Sequence, residues 1–302
     1  MKYLFLTLLF ASLSAHATDF PDDPLLLSLL GIDSDSQIKG PPYLEIVDSL
    51  KILETSHPEI VQVITYGTTL KKRPLTIVKI ALKNVSVKLP AIYIGGSIHG
   101  NEYLNIEDRL PAWFVLQSLT DSSVATYLKK GGAIYIAPIL NPDGYDKRDR
   151  ENSRGIDLNR DYTVKEADVQ GFKEIETSSL KSFLEKDLET DQRKLEVAMD
   201  YHCCIGALLY PWSFKGPVLS QFHKERHLAI ANIMQNTIGT DVEAGTTPVI
   251  LGYSAKGTSK DFYYENFGAR GFTYEGRRGQ EDKYFLEHTA MWNDIVKLLI
   301  KD

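Results

Sequence analysis

The chain has 302 residues, 43% of them hydrophobic and 25% charged, which is typical of a soluble globular protein with a sizeable core. Its formal net charge of −6 is mild, and the sequence has no basic run or stripe. The composition therefore argues against nucleic-acid binding and, more weakly, against docking to an anionic membrane surface.

The first 17 residues have the pattern of a signal peptide. Lys2 supplies a positive charge, an apolar stretch follows over 3–13, and residues 15–17 read AHA, which is a small-x-small cleavage pattern. The apolar stretch is too short to span a bilayer, and an uncleaved N-terminal membrane anchor is the alternative. We therefore expect a signal peptide over 1–17 and a secreted or periplasmic protein without stable membrane insertion.

Residues 18–42 are rich in Asp, Pro, Ser and Gly, and we expect them to form a linker or N-terminal arm. Helical spacing of apolar residues predicts helices at 43–54, 106–119, 180–188, 228–238 and 290–300. Apolar or β-branched runs predict strands at 61–66, 75–82, 90–96, 133–138 and 195–199, of which the first two form a hairpin. This order predicts one α/β domain over 43–302, with a mixed, mostly parallel twisted sheet covered by helices on both faces.

A candidate metal motif follows the predicted strand at 90–96. Residues 95–102 read GGSIHGNE, so His99 and Glu102 lie three apart, just beyond the carboxyl end of that strand. Open α/β sheets place ligands at this edge, and the two side chains can offer an imidazole nitrogen and a carboxylate to one metal ion. Taken alone the pair is a weak signal, because a surface histidine beside a surface acid gives the same pattern.

A second motif ends the predicted strand at 195–199. Residues 199–202 read MDYH, and His202 can supply a third ligand at the same edge of the sheet. Two histidines and one glutamate leave the fourth position of a zinc ion open for water. The alternative for His202 by itself is a buried histidine with an ordinary hydrogen bond.

With three further segments, the chain resembles the M14 metallocarboxypeptidases of the carboxypeptidase A type. The matching segments are IHGNE at 98–102, NPDG at 141–144, GIDLNR at 155–160, DYH at 200–202 and the stretch 253–275. The resemblance covers most of 43–302 and implies the metallocarboxypeptidase fold. It also implies one Zn²⁺ ion held by His99, Glu102 and His202, and hydrolysis of the C-terminal peptide bond of a peptide.

The resemblance assigns catalytic roles to Glu275 and Arg150. Glu275 occupies the position of the family's general base, which takes a proton from water and passes it to the leaving amine. Arg150, nine residues before Asn159, matches the arginine that stabilises the oxyanion, with Arg148 and Arg154 as neighbouring alternatives.

Three further residues match the family's grip on the substrate's free C-terminal carboxylate. Asn159 and Arg160 correspond to the pair that binds it, and a guanidinium suits a carboxylate as a bidentate partner. Tyr253 corresponds to the mobile tyrosine that closes over it. The expected partner is therefore a peptide with a free C-terminal carboxylate.

Lys260, fifteen residues before Glu275, falls where the family places the residue at the base of the pocket for the departing side chain. A buried ammonium without a partner is costly, so a lysine there predicts preference for an acidic C-terminal residue. The alternative is that Lys260 points to solvent.

Three other functions remain open from the sequence. A related amidase could use the same zinc site on bacterial cell-wall stem peptides. A zinc deacylase of N-acyl amino acids could share the ligands, but it would not be expected to need Tyr253 with the Asn159-Arg160 pair. A non-enzymatic binding module would be expected to have lost a ligand or Glu275.

Only two cysteines occur, and Cys203 and Cys204 are adjacent, directly after the third candidate ligand. Ordinary disulfide geometry disfavours a bridge between neighbours, so the sequence favours two partly buried thiols. A vicinal disulfide near the site is the alternative, and neither form has an assigned role.

Overall fold

The computed structural model describes residues 40–239, 241–277 and 285–301. The expected signal peptide over 1–17, and the expected arm up to residue 39, lie outside these residues. Among the helices of the described residues, none is both long enough and apolar enough to cross a membrane.

The described residues form nine α-helices and seven strands. The helices are α1 (Tyr43–Ser56), α2 (Leu110–Ser118), α3 (Ser123–Lys129), α4 (Pro142–Lys147), α5 (Ile175–Thr190), α6 (Gln221–Thr237), α7 (Thr247–Ile250), α8 (Ser259–Phe267) and α9 (Phe285–Lys301). The strands are β1 (Val61–Thr68), β2 (Pro74–Ala81), β3 (Ala91–Gly95), β4 (Ala133–Ala137), β5 (Leu195–Tyr210), β6 (Glu243–Thr246) and β7 (Arg270–Arg277). Every element predicted from the sequence is present, with shifted ends, and the sequence patterns missed α3, α4, α7, α8, β6 and β7.

The strands form one mixed sheet in the order β1-β2-β4-β3-β5-β6, with β7 also paired to β5. The β1/β2 and β2/β4 pairs are antiparallel, whereas β3 is parallel to both β4 and β5, and β5 is parallel to β6. The central strands β3 and β4 are buried along their whole length, as expected for strands covered on both faces. The predicted hairpin and the predicted fold class are both confirmed.

The strand β5 is much longer than predicted because it passes the candidate ligand and doubles back. From Val197 to Cys204 its register with β7 rises in parallel, ending at Cys204 opposite Arg277. Beyond the turn the register runs the other way, with Ala207 opposite Glu275. Both arms of β5 therefore flank β7.

Helices cover both faces of the sheet, because side chains of successive strand residues point to opposite sides. On β3, Ile92 and Ile94 belong to the core shared with α1, α2, α3, α6 and α9, whereas Tyr93 belongs to the core shared with α5 and α8. The helix α9 shows the pattern that drives this packing. Its buried residues recur at three- and four-residue spacing and include Trp292, which is fully enclosed.

Candidate metal centre and substrate cleft

The candidate ligands come from the loop after one strand and from the middle of the neighbouring strand, close to the point where that strand reverses. His99 and Glu102 lie in the loop after β3, and His202 lies within β5. Gly95, the last residue of β3, pairs with Asp200, two residues before His202. The parallel register of β3 and β5 therefore brings side chains about 100 positions apart in sequence to one edge of the sheet.

The NPDG segment holds the loop that carries His99. Asn141 accepts a hydrogen bond from the backbone N–H of Gly144, which caps α4, and its side-chain amide donates to the carbonyl of Ile98 at 3.3 Å. A Cβ at Gly100 would lie 2.1 Å from the carbonyl carbon of Gly144, so only glycine fits this close approach.

The three side chains converge on one point. Glu102 Oε2 lies 2.8 Å from His99 Nδ1 and 2.9 Å from His202 Nδ1, and the two imidazole rings are 4.7 Å apart between centroids. One donor atom from each residue lies within 4.8 Å of the others, and both histidines are buried.

This donor set fits zinc. Two imidazole nitrogens and one carboxylate oxygen are ligands that Zn²⁺ prefers, and three protein ligands leave a fourth position for water or substrate. Both Nδ1 atoms face the carboxylate, while His99 Nε2 contacts Asp157 and His202 Nε2 lies 3.5 Å from the amide nitrogen of Asn159. The Nδ1 atoms are therefore the ones directed at the ion's position.

Asp157 is a residue of the site that the sequence reasoning missed. Its Oδ1 lies 2.9 Å from His99 Nε2 and also accepts the backbone N–H of Asn159. Burial alone would raise the pKa of Asp157, but the hydrogen bond from His99 and the charge of Arg150 hold it below its usual range. A carboxylate on the far nitrogen of a ligand histidine fixes the ring's orientation. The only sequence signal was its place in the GIDLNR segment.

Of the three neighbouring arginines, only Arg150 is brought to the ligands. Its Nη1 donates to Glu102 Oε1 at 2.9 Å, and its Nε and Nη2 donate to Asp157 Oδ2 at 3.2 and 3.0 Å. Arg148 instead stacks on the ring of Tyr145, and Arg154 pairs loosely with Glu174.

Glu275 lies beside the triad on the adjacent strand. It pairs in register with His202 across β5 and β7. Burial raises the pKa of Glu275 above its ordinary value, although His202 acts in the opposite direction. A carboxylate with a raised pKa beside a metal position is suited to accept and return a proton.

Asn159 and Arg160 lie on a short 3-10 turn next to the triad. Asn159 Oδ1 accepts the backbone N–H of Ser259 at 3.0 Å, which ties this turn to the start of α8. Arg160 is half-buried, and its Nη1 donates to the carbonyl of Asn159 at 2.7 Å. The loop before α8 packs against Arg160, because a Cβ at Gly257 would lie 2.5 Å from its carbonyl oxygen.

Lys260 is directed into the protein rather than to solvent. Only 2% of the residue is exposed, and its Nζ donates to Ser213 Oγ and to Thr247 Oγ1, the latter at 3.0 Å. Burial lowers the pKa of Lys260, while the charges of Asp261 and Glu275 oppose that effect. The ammonium therefore sits among hydroxyl groups at the start of α8, one residue from Ser259, which contacts Asn159.

Tyr253 is a predicted site residue that the structure does not bring to the triad. It is 51% exposed on the loop between α7 and α8, and no contact among the described residues joins it to the other predicted site residues. It lies seven residues before Lys260 on the loop that packs against Arg160.

Cys203 and Cys204 form a vicinal disulfide, instead of the two thiols that the sequence favours. The backbone N–H of Cys203 donates to Glu102 Oε2 at 3.4 Å, the same oxygen that faces both histidines. The disulfide is therefore adjacent to the candidate metal centre in space as well as in sequence.

The sequence of this chain is similar to those of known zinc carboxypeptidases. The sequence model of the zinc carboxypeptidase family, Peptidase_M14, matches residues 46–297. Carboxypeptidase A4 of Mus musculus is 26% identical over 271 residues, and carboxypeptidase B2 of Mus musculus is 29% identical over 272 residues. These matches cover 78% and 77% of this chain but 62% of each relative, so the chain spans about three fifths of their length.

A solved structure supports the fold. The crystal structure of thrombin activatable fibrinolysis inhibitor superposes with a TM-score of 0.72 at 21% identity, covering 92% of this chain and 80% of that one. At this level of identity the likeness concerns the fold, which agrees with the mixed sheet and the two helical layers.

Proposed function

This chain belongs to the zinc carboxypeptidase family, and on that premise we propose that it hydrolyses the C-terminal peptide bond of peptides and prefers an acidic C-terminal residue. One observation carries the proposal. His99 and Glu102 from the loop after β3 converge with His202 of β5, and Glu275 lies beside them on the paired strand β7.

In the proposed reaction the triad holds one zinc ion, which when bound polarises the scissile carbonyl and lowers the pKa of water. Glu275 takes the proton of the attacking water and delivers it to the leaving amine. Its raised pKa suits both steps, because a base that is too acidic returns a proton readily but takes one up poorly.

Arg150 is proposed to stabilise the oxygen that becomes negative during attack. Its contacts with Glu102 and Asp157 engage three nitrogen atoms, and a guanidinium has five N–H donors, so two remain for substrate. The same contacts fix the guanidinium in place before the reaction, which is the condition for efficient electrostatic stabilisation.

The proposed exopeptidase action depends on Asn159 and Arg160. A cation and an amide beside the triad can bind a free α-carboxylate and set its distance from the metal. Tyr253 is proposed to close over the bound carboxylate from its exposed loop, since a half-exposed side chain is free to move without disturbing the core.

The proposed acidic preference depends on Lys260. The ammonium is buried with two hydroxyl partners, and a substrate carboxylate would be a stronger partner for it than either. A basic side chain would bring two cations together, and an apolar one would offer the buried ammonium no hydrogen-bond partner.

The test is product mass spectrometry on peptides that differ only in a C-terminal Glu, Lys or Phe, with and without a chelator. We expect loss of one residue, fastest from the Glu peptide, and no reaction after chelation until zinc is restored. Equal rates on all three peptides would overturn the acidic preference. Cleavage that continues without metal would overturn the zinc mechanism.

The cell-wall alternative is separated by the same assay with purified stem peptides. A cut at a γ-linked or crosslinked bond, without loss of one residue from ordinary peptides, would favour the amidase. No contact of the described residues favours that substrate, so we propose the ordinary peptide.

Export is proposed from the pattern over 1–17 alone. The intact mass of the protein recovered from its native compartment tests it. We expect the mature chain to begin at Thr18, and a mature protein that retains Met1 would contradict a cleaved signal peptide.

A further inference from the structure

The turn of β5 lies between two parts of the metal centre. It begins one residue after His202, and its first backbone N–H, from Cys203, donates to Glu102 Oε2 at 3.4 Å. The same carboxylate oxygen lies 2.9 Å from His202 Nδ1. Residues 202–203 therefore direct a side-chain nitrogen and a backbone donor at one candidate ligand.

The turn also wraps the end of the strand that carries Glu275. Cys203 pairs with Gly276 and Cys204 pairs with Arg277, after which the chain reverses and Ala207 pairs with Glu275. Any shift in the path of this turn therefore moves backbone on both sides of Glu275.

The reversal is tightly packed at Gly206. Its φ of +71° belongs to the left-handed region, and a Cβ there would lie 3.1 Å from Arg277 Cγ. The side chain of Cys203 packs against the core, whereas Ile205 is 52% exposed. One end of the turn is therefore held by packing, and its tip faces solvent.

We propose that the Cys203–Cys204 disulfide positions this turn for metal binding, and that its reduction weakens zinc retention. The proposal rests on the metal centre of the proposed function. The covalent link joins the residue that donates to Glu102 with the residue opposite Arg277, and so fixes the backbone at the exit from His202. Partners of a metal's ligands commonly contribute about 10- to 100-fold in metal affinity.

The reduction is a two-electron step. A dithiol supplies two electrons and two protons, the Cys203–Cys204 S–S bond breaks, two thiols form, and the sulfurs of the dithiol become joined. The two half-buried residues are then no longer tied together by a covalent bond. The Cys203 N–H is free to leave Glu102, and the preorganisation of the ligand set is lost.

The experiment measures zinc affinity of the full chain by competition with a chelator, in the oxidised form and after reduction. A phosphine is the reductant, because thiols themselves bind zinc; it takes up oxygen from water as it reduces the disulfide. We expect the apparent Kd for zinc to rise about 10- to 100-fold on reduction. Alkylation under denaturing conditions, read by mass, reports the state of both cysteines.

The double variant Cys203→Ser, Cys204→Ser is the companion to the wild type. We expect it to bind zinc as weakly as the reduced wild type, with or without phosphine, which rules out competition by the phosphine. Ile205→Ala is the matched control in the same turn and should keep the affinity of the oxidised wild type. Circular dichroism checks that the variants fold. The comparison of the oxidised and reduced wild type involves no substitution and so does not depend on the folding of a variant.

Equal zinc affinity in the oxidised and reduced wild type would overturn the inference and leave the proposed peptidase intact. Alkylation of both cysteines without reductant, or an equal loss in Ile205→Ala, would also overturn it. A chain whose zinc affinity falls on reduction but which cleaves no peptide would instead overturn the proposed function alone.

Discussion

His202 of β5 and Glu275 of β7 face one another in register on adjacent strands. The pairing places a candidate metal ligand and a candidate base at a separation fixed by the sheet, whose strands lie about 4.8 Å apart. Neither position can move without disturbing backbone hydrogen bonds along both strands. The sheet therefore holds His202 and Glu275 in place, and His99 and Glu102, which lie on a loop, complete the site.

Glu275→Gln should abolish proton transfer while leaving the metal centre in place. We expect kcat to fall by about 10²- to 10⁴-fold, the usual contribution of a general base, with little change in KM or zinc content. Steady-state kinetics and metal analysis check this. Glu243→Gln on β6, which replaces an exposed acid, should behave as the wild type, and a variant at Glu275 that keeps full kcat would remove its assigned role.

Lys260→Met should change which C-terminal residue is preferred. A hydrogen bond between charged groups contributes about 1.5–3 kcal/mol, so the ratio of kcat/KM for Glu over Phe substrates should fall about 10- to 100-fold. Lys256→Met is the matched control, because Lys256 is exposed and donates to the carbonyl of Ala167 instead. If both variants keep the wild-type ratio, Lys260 does not determine which C-terminal residue is preferred.

Asp157→Ala should weaken zinc binding through His99. Loss of the carboxylate frees the imidazole to rotate, and we expect the apparent Kd for zinc to rise about 10- to 100-fold. Chelator competition measures it without any substrate. Asp149→Ala, at a nearby exposed position, should leave the affinity unchanged. Zinc binding as tight as in the wild type would show that Asp157 does not orient the ligand.

Glu107 should make stability fall as pH rises. Burial raises the pKa of Glu107 from its ordinary value of 4.5 to about 8, although backbone N–H groups of Leu104 and Ile106 donate to its Oε2. Between these two values the folded state keeps a proton that the unfolded state has released. The contribution is therefore fully present below about pH 4.5 and is lost as pH rises towards 8, by roughly 1.4 kcal/mol per pH unit.

Urea unfolding of the wild type and of Glu107→Gln at pH 5, 6 and 7 measures this effect. The same metal chelator is present in every sample. The introduced amide stays neutral at every pH. The free energy of unfolding of the variant minus that of the wild type should therefore increase from pH 5 to pH 6 and from pH 6 to pH 7. Taking the difference between the two proteins cancels the other titrating groups. A difference that is independent of pH would show that Glu107 is ionised in the folded protein throughout this range.

Some residues of the site could be predicted from the sequence and others could not, for a physical reason. His99, Glu102 and His202 could be proposed because each follows a strand pattern that is visible locally, and strand ends of an open α/β sheet meet at one edge. Arg150 was proposed through the family resemblance, with Arg148 and Arg154 as alternatives, and its contacts with Glu102 and Asp157 distinguish it from both. Asp157 gave no distinct local signal, because its partner His99 lies 58 residues away.

The sequence by itself determined the alternation of helices and strands, the α/β class and the hairpin, since period and apolar runs record how each segment meets the core. The three candidate ligands were proposed from their places after predicted strands together with the family resemblance. Only the tertiary structure decided that β5 doubles back around β7, that Lys260 is buried, and that Cys203 and Cys204 are joined. These features depend on strand order and register between distant segments. A local pattern reports which residues face inward and leaves open what they meet there.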